Sequence, residues 1–289
     1  MKRLKYRFPL CLSLVLFGTI SLFSKNAGIS SGYLSLCRAV IAIVTILVIK
    51  LLRRERLDFR KIGKDALWLL LSGAAMGFNW VLFFESFNYV AVSTATLCYY
   101  FAPILVTAAC PFLFHEKLTV RQIVCFVMST VGLVLLIGVA GERQNPVGIC
   151  IALGSAVLYA VVITINKLIR SVTGIDRSLL QFAAAVIVLI PYVGAASGFS
   201  LSGLGTLNIV SILVIGIVYT GAAYCAYFSA IPNLPGQETM LLSYIDPLVA
   251  VIVSVAVLGE PITLLQLLGG ALVIGFTIIN ELSAAKAAA

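Results

Sequence analysis

The sequence consists of long apolar runs separated by short polar breaks. A transmembrane helix needs about 20 mostly apolar residues to cross hydrocarbon about 30 Å thick. Apolar residues make up 61% of the chain and charged residues 11%, a balance outside the range of soluble domains. The runs predict ten membrane-spanning helices, numbered spans 1 to 10, over residues 8–26, 33–52, 66–88, 92–114, 120–140, 146–169, 178–198, 207–231, 235–258 and 264–282.

The runs are continuous and do not alternate between apolar and polar residues, which favours helices over a transmembrane β-barrel. A helix also satisfies its own backbone hydrogen bonds in lipid. We therefore predict an all-α integral membrane protein in contact with the lipid bilayer. The seven cysteines include no C-x-x-C pair, so we interpret them as packing residues and predict no metal site and no cofactor.

Lysine and arginine are distributed unevenly along the chain. If the N-terminus is cytoplasmic, all of them except Lys25, Arg38 and Arg143 fall on the cytoplasmic side, as the positive-inside rule requires. The densest basic cluster lies between Arg53 and Lys64. We predict a multi-pass plasma-membrane protein with both termini in the cytoplasm. The net charge of +9 then reflects topology and contact with anionic lipid, and no nucleic-acid partner is predicted.

An offset of 144 residues aligns the first half of the sequence with the second. Each half contains five predicted spans, so the second half must enter the membrane from the opposite side. Inverted repeats are typical of secondary transporters, whose substrate site lies near the bilayer midplane. We predict repeats over 1–144 and 145–289, aligned through Gly77/Gly221, Trp80/Tyr224, Phe84/Phe228, Tyr100/Tyr244, Pro103/Pro247, Glu116/Glu260, Thr119/Thr263 and Gln122/Gln266.

Two matching segments carry a resemblance to a known family. They are "FAPILVTAACPFLFHEKLTVRQ" and "IDPLVAVIVSVAVLGEPITLLQ", and "LSLCRAV" around Arg38 adds a recurrent arginine. In these segments the chain resembles the drug/metabolite transporter superfamily, and within it the ten-helix EamA-type transporters. His115 departs from the family pattern, which has glycine there. The resemblance implies a small-molecule transporter that works by alternating access, and it leaves the substrate, the direction of transport and the coupling ion open.

Asp246 and Pro247 stand about 11 residues into span 9, hence about 16 Å deep. An ionised acid at that depth costs about 2.5 to 3.5 kcal/mol, so Asp246 is predicted to face a cavity or to take a proton. The alternative is that it caps a bend in the helix. Pro247 and its repeat partner Pro103 each remove a backbone donor, so both helices are predicted to bend or open there as gating points.

Aromatic residues near the midplane are candidates for substrate contact. A cage of ring faces holds apolar or cationic groups, although any one of these side chains taken alone is more often explained by packing. The predicted substrate-binding residues are Phe17, Asn79, Trp80, Tyr100, Tyr159, Tyr224 and Asp246.

Arg38 in span 2 and Glu85 in span 3 have matching depths near the outer face. We predict a partly buried ion pair between them that stabilises one state of the outer gate. The alternative is that Arg38 extends alone to the membrane surface. Glu116 and Glu260, at the ends of spans 4 and 9, are predicted to cap the helix that follows each of them.

No P-loop is present, so an ion or substrate gradient must supply any energy. We predict a secondary transporter for a small metabolite (an amino acid, an organic cation or a neutral solute), coupled to protons or working by exchange. A facilitative uniporter or channel-like permease is the alternative. An intramembrane enzyme has less support, because His115 is the only histidine and no catalytic residues are predicted. Association into a homodimer stays open.

Overall fold

The fold is given by a computed structural model that describes residues 4–55, 63, 65–113, 119–138, 145–169, 171–172, 174–200, 203–234, 239 and 242–287. Every regular element in this part of the chain is a helix. In the first half the helices are α1 Leu4–Thr19, α2 Ser21–Ser24, α3 Ser31–Leu52, α4 Ala66–Ser86, α5 Val92–Tyr99, α6 Ala102–Leu113 and α7 Val120–Gly138.

The second half repeats this series of helices. A π-helical segment, Ile215–Ala222, interrupts span 8, and a short 3₁₀ turn, Ile231–Asn233, ends it. The α-helices are α8 Pro146–Leu168, α9 Gly174–Ala196, α10 Thr206–Val214, α11 Ala223–Ala230, α12 Ile245–Ala256 and α13 Leu264–Ala287.

Seven helical segments in the described part of the chain are long and apolar enough to cross a membrane. Three shorter apolar helices, Val120–Leu135, Ile245–Ala256 and Leu264–Asn280, lie at predicted spans 5, 9 and 10. The prediction of an all-helical membrane protein is confirmed.

Spans 4 and 9, which contain the twin prolines, are broken at repeat-equivalent positions. The turn at Tyr100–Phe101 separates α5 from α6, and Pro103 follows in the first turn of α6. In span 9 the turn at Ser243–Tyr244 precedes α12, whose first turn contains Pro247. Proline is tolerated in a first helical turn because the missing donor has no partner there. The helix is thus interrupted just before each of the twin prolines, and their role as gating points stays a prediction.

The two halves of the chain interleave, and the contacts between them position the broken spans. Helix α5 packs against α12, α4 packs against α8 and α9, and α1 packs against α12 and α11. A Cβ atom at Gly18 in α1 would lie 2.5 Å from the carbonyl oxygen of Asp246. Only glycine therefore lets span 1 approach the broken end of span 9 this closely.

Matching capping boxes begin the helices that follow the broken spans. The Thr119 amide donates to Gln122 Oε1 at 2.8 Å, and the Thr263 amide donates to Gln266 Oε1 at the same distance. The backbone amide of each glutamine donates in turn to the hydroxyl of its threonine. The cap of α13 is therefore Thr263 with Gln266, and the prediction that Glu260 caps this helix is wrong. Glu116 lies outside the described residues.

Candidate functional site

A cavity of about 600 Å³ lies between the two halves of the chain, at the breaks in spans 4 and 9. This volume falls within the range of small-molecule sites. Both repeats contribute to its wall. Of the predicted site residues, those that line it are Phe17, Arg38, Trp80, Tyr100, Pro103, Tyr159, Tyr224 and Asp246.

Asp246 reaches the cavity from the first turn of α12, where the positive end of the helix dipole favours a negative charge. Its Oδ2 accepts a hydrogen bond from the Tyr100 hydroxyl at 2.6 Å. This bond joins the broken ends of spans 4 and 9. Among the described residues no lysine or arginine forms an ion pair with Asp246, and no group of His, Cys, Asp or Glu could hold a metal ion.

Arg38 is buried in α3, and its guanidinium lies over the ring of Trp80 with Cζ 4.2 Å from the centroid. Arg38 Nε donates to Thr220 Oγ1 at 2.8 Å. Thr220 in turn donates to the Ile215 carbonyl at 2.8 Å, so its lone pairs remain turned towards Arg38. Ile215 and Thr220 belong to the π-helical segment, a type of helix that often occurs at functional sites.

The predicted ion pair between Arg38 and Glu85 is not formed. Glu85 Oε2 accepts from the Ser31 hydroxyl at 2.7 Å, and Glu85 does not line the cavity. Arg38 is bound by Thr220 and Trp80, well away from the surface. Both the ion pair and the alternative of a surface-reaching Arg38 are therefore wrong for this conformation.

Two other predicted residues lie behind the cavity wall. Asn79 is buried and its Nδ2 donates to the Ser155 carbonyl at 2.6 Å, which fastens α4 to α8. The predicted substrate contact of Asn79 is thus replaced by a packing contact. Pro247 is buried beside Asp246 in the first turn of α12 and does not line the cavity.

The predicted aromatic residues meet in the cavity, together with one that the sequence reading missed. Tyr99 stacks on Tyr159 with centroids 4.7 Å apart and planes at 12°. Phe17 meets Tyr224 edge-on at 5.3 Å. Tyr99 and Tyr224 line the cavity together with Arg38 and Asp246. The sequence signal that could have identified Tyr99 is its position next to Tyr100, directly before the break in span 4.

A polar group that the sequence reading also missed lines the end of the cavity near α9. Arg177 donates to the carbonyls of Ile169 at 2.8 Å and Val172 at 2.9 Å, just beyond the C-terminus of α8. Gln181 donates to Asn166 Oδ1 at 2.7 Å. The hydrogen-bond donors of Arg177 and Gln181 are used to hold the C-terminal end of α8, so these side chains have a structural role in the cavity wall. Arg38 and Asp246 are then the charged groups available to a ligand.

The sequence matches a transporter family, and the fold matches a solved structure. The EamA-like transporter family matches residues 7–138 and again residues 146–281. The match occurs twice because this family has a duplicated ten-helix fold, which confirms the predicted pair of five-helix repeats. The division at residue 144 stays a prediction. A solved crystal structure with 19% sequence identity has the same fold, with a TM-score of 0.66 over 96% of this chain and 99% of that chain.

Curated relatives are similar over most of their length. The uncharacterized transporter YxxF of Bacillus subtilis (strain 168) is 28% identical over 262 residues, which cover 89% of this chain and 83% of that protein. An uncharacterized transporter of Archaeoglobus fulgidus is 26% identical over 274 residues, 93% of each chain. With a family match over nearly the whole sequence, this chain belongs to the EamA-like transporter family and is a multi-pass membrane transporter.

Proposed function

We propose that this transporter carries a small zwitterionic solute, typified by an amino acid, between Arg38 and Asp246. One observation carries the proposal: a buried cation and an acid line the same cavity, and neither has a partner of opposite charge among the described residues. A zwitterion supplies both missing charges in one molecule.

Arg38 is the proposed ligand of the carboxylate. A guanidinium presents five donors in a planar fork that matches two carboxylate oxygens, and among the described residues only Thr220 accepts from it. A buried charge without a counter-charge is costly. A bound carboxylate would offset that cost while Trp80 keeps the guanidinium plane in place.

Asp246 is the proposed ligand of the ammonium group. Tyr100 occupies one of its oxygens, and the other faces no described basic residue. The rings of Tyr99 and Tyr159 stand nearby in the same wall and present faces that attract a cation. An ammonium group or a proton on Asp246 would each lower the cost of an acid inside the membrane.

The remaining wall favours an apolar side chain on the solute. Phe17 and Tyr224 form an edge-on pair, and Tyr224 also meets Phe182 at 5.2 Å. A cavity of about 600 Å³ has room for a single small metabolite. Because proton and ammonium would compete for Asp246, we propose transport coupled to a proton gradient or exchange between solutes.

The experiment that tests the proposal compares matched analogues. Purified protein is screened by thermal shift with apolar amino acids, with the corresponding amines that lack the carboxylate, and with the acids that lack the amine. We expect the amino acids to raise the melting temperature more than either analogue, and radiolabelled flux in proteoliposomes to follow the same order. Equal shifts for the three classes would contradict the zwitterion proposal.

We further propose a plasma-membrane location with both termini in the cytoplasm. The support is the basic cluster over 53–64, of which Arg56 lies outside the described residues. In a background without native cysteines, we expect Arg56→Cys to resist an impermeant maleimide in intact cells and Lys25→Cys to react. Labelling of position 56 from outside the cell would overturn this orientation.

A further inference from the structure

We propose that Glu260 is a gating residue: with Lys25, Ser254 and the backbone amides of Val92 and Ser93 it forms a latch, the Glu260 latch, that closes one end of the cavity. The latch lies at the end of the helix bundle where Lys25 is found, and we call this end of the molecule the Lys25 end. It joins the last turns of span 9 to the first residues of span 4, and so joins one repeat to the other.

The hydrogen bonds of the latch are specific. Glu260 Oε2 accepts from the Val92 amide at 2.8 Å and from the Ser254 hydroxyl. Ser254 Oγ accepts from the Ser93 amide at 3.2 Å. Lys25, at the end of span 1, donates to Glu260 Oε1. Two amides at the start of α5 are thus satisfied by side chains of the opposite repeat, since the first amides of a helix lack partners within it.

The latch is one of two fastenings between the same pair of helices. Tyr100 and Asp246 join the other ends of α5 and α12 inside the cavity. Val92 to Tyr100 and Asp246 to Ser254 each span eight positions, or about 12 Å of helix. The halves of spans 4 and 9 that lie towards the Lys25 end are therefore held together at both of their ends. The twin prolines lie near the ends of these halves that face the cavity.

The cavity is closed where the latch lies. Its wall residues at the Lys25 end, Ile20, Ser21 and Phe87, are buried. At the opposite end, the wall residues Gly174 and Ile231 are partly exposed, while Leu234 is buried. Opening towards the Lys25 end requires α5 and α12 to separate, and this breaks the two latch bonds that the Val92 and Ser93 amides donate.

The inference rests on the proposed transport cycle and does not depend on which solute is carried. A cationic group that binds Asp246 competes with Tyr100 and loosens the fastening inside the cavity. The latch then remains as the barrier to opening. Because Glu260 supplies the negative charge of this network, removal of that charge should favour the state that is open at the Lys25 end.

The test measures access to the cavity from each side of the membrane. Thr96 lies in α5, is buried and lines the cavity, so Thr96→Cys in the full chain without native cysteines serves as the reporter. An impermeant maleimide is added to intact cells and, separately, to inverted vesicles. Glu260→Gln is compared with Thr263→Ala, a matched control that removes a cap three positions away without touching the latch.

We expect Glu260→Gln to raise the labelling rate on the order of tenfold from the Lys25 end, because a hydrogen bond to a charged group is worth about that factor. Labelling from the opposite side should not rise, and Thr263→Ala should label at the reference rate. General loosening of the fold would increase labelling from both sides and would overturn the proposal, as would an unchanged rate.

If Glu260→Gln does not yield folded protein, Lys25→Met carries the same test, because it removes the cation and leaves the carboxylate bound to Val92. A rise from the Lys25 end alone supports the latch, and any other pattern overturns it. The labelling needs no solute, so a failure of the zwitterion proposal leaves this result unaffected and can be recognised separately.

Discussion

Asp246→Asn protein is expected to fold normally and to lose solute accumulation driven by a pH gradient, down to the level of liposomes without protein. Asparagine keeps the size of aspartate and can still accept the hydrogen bond from Tyr100, which is 2.6 Å away in the wild-type structure. It can neither take up nor release a proton. Exchange of solute against solute is expected to survive better than accumulation, because exchange needs no change in protonation.

Tyr100→Phe is the matched control for this substitution. It removes the hydrogen bond to Asp246 and leaves the carboxyl group able to titrate in the same cavity. We expect Tyr100→Phe to retain transport driven by a pH gradient while its affinity for solute changes. If Asp246→Asn protein accumulates solute at the wild-type rate with the same pH dependence, the aspartate only caps the broken helix and proton coupling through it is excluded.

The predictable part of the fold follows from one-dimensional signals. Apolar runs fix the spans because the thickness of the bilayer fixes their length. The breaks in spans 4 and 9 lie beside Pro103 and Pro247, because proline is tolerated in the first turn of a helix. Depth also follows from counting residues, which is why Tyr100 and Asp246 were predicted near the midplane and do meet in the cavity.

The parts that were predicted wrongly depend on the direction in which a side chain points around its helix. Arg38 and Glu85 share a depth, but Arg38 turns to Thr220 on the π-helical segment and Glu85 turns to Ser31. A π-helical segment shifts the facing of the residues after it, and nothing in the apolar pattern of span 8 signals it. Asn79 likewise has the right depth and faces α8.

Glu260 illustrates a different limit. A helix-end acid before threonine predicts a cap of the following helix, because capping is a local pattern. The glutamine of that same pattern already satisfies the Thr263 amide, so Glu260 is free to reach α5 in the other repeat. Only the packing of the two repeats brings Val92 within 2.8 Å of the carboxylate. A contact between residues so far apart in the sequence cannot be predicted from local residue spacing.

Arg38→Gln protein is expected to bind a zwitterionic solute at least about tenfold more weakly, since each hydrogen bond from a charged group contributes about 1.5 to 3 kcal/mol. The solute's amide derivative, which has no carboxylate charge, should lose much less affinity. Arg38→Lys should lie between these two results, because lysine keeps the charge and lacks the planar fork that faces a carboxylate. Dissociation constants of both ligands for each purified variant would measure the effect.

Glu85→Gln is the control for this series, because Glu85 is a carboxylate of similar depth that binds Ser31 outside the cavity wall. Its affinity for the zwitterion should equal that of the wild type. The comparison isolates the carboxylate subsite, since a general weakening of the fold would reduce binding of the solute and of its amide by the same factor. Equal losses for the two ligands in Arg38→Gln protein would show that Arg38 packs against Trp80 without binding a carboxylate, and the zwitterion proposal would then be wrong.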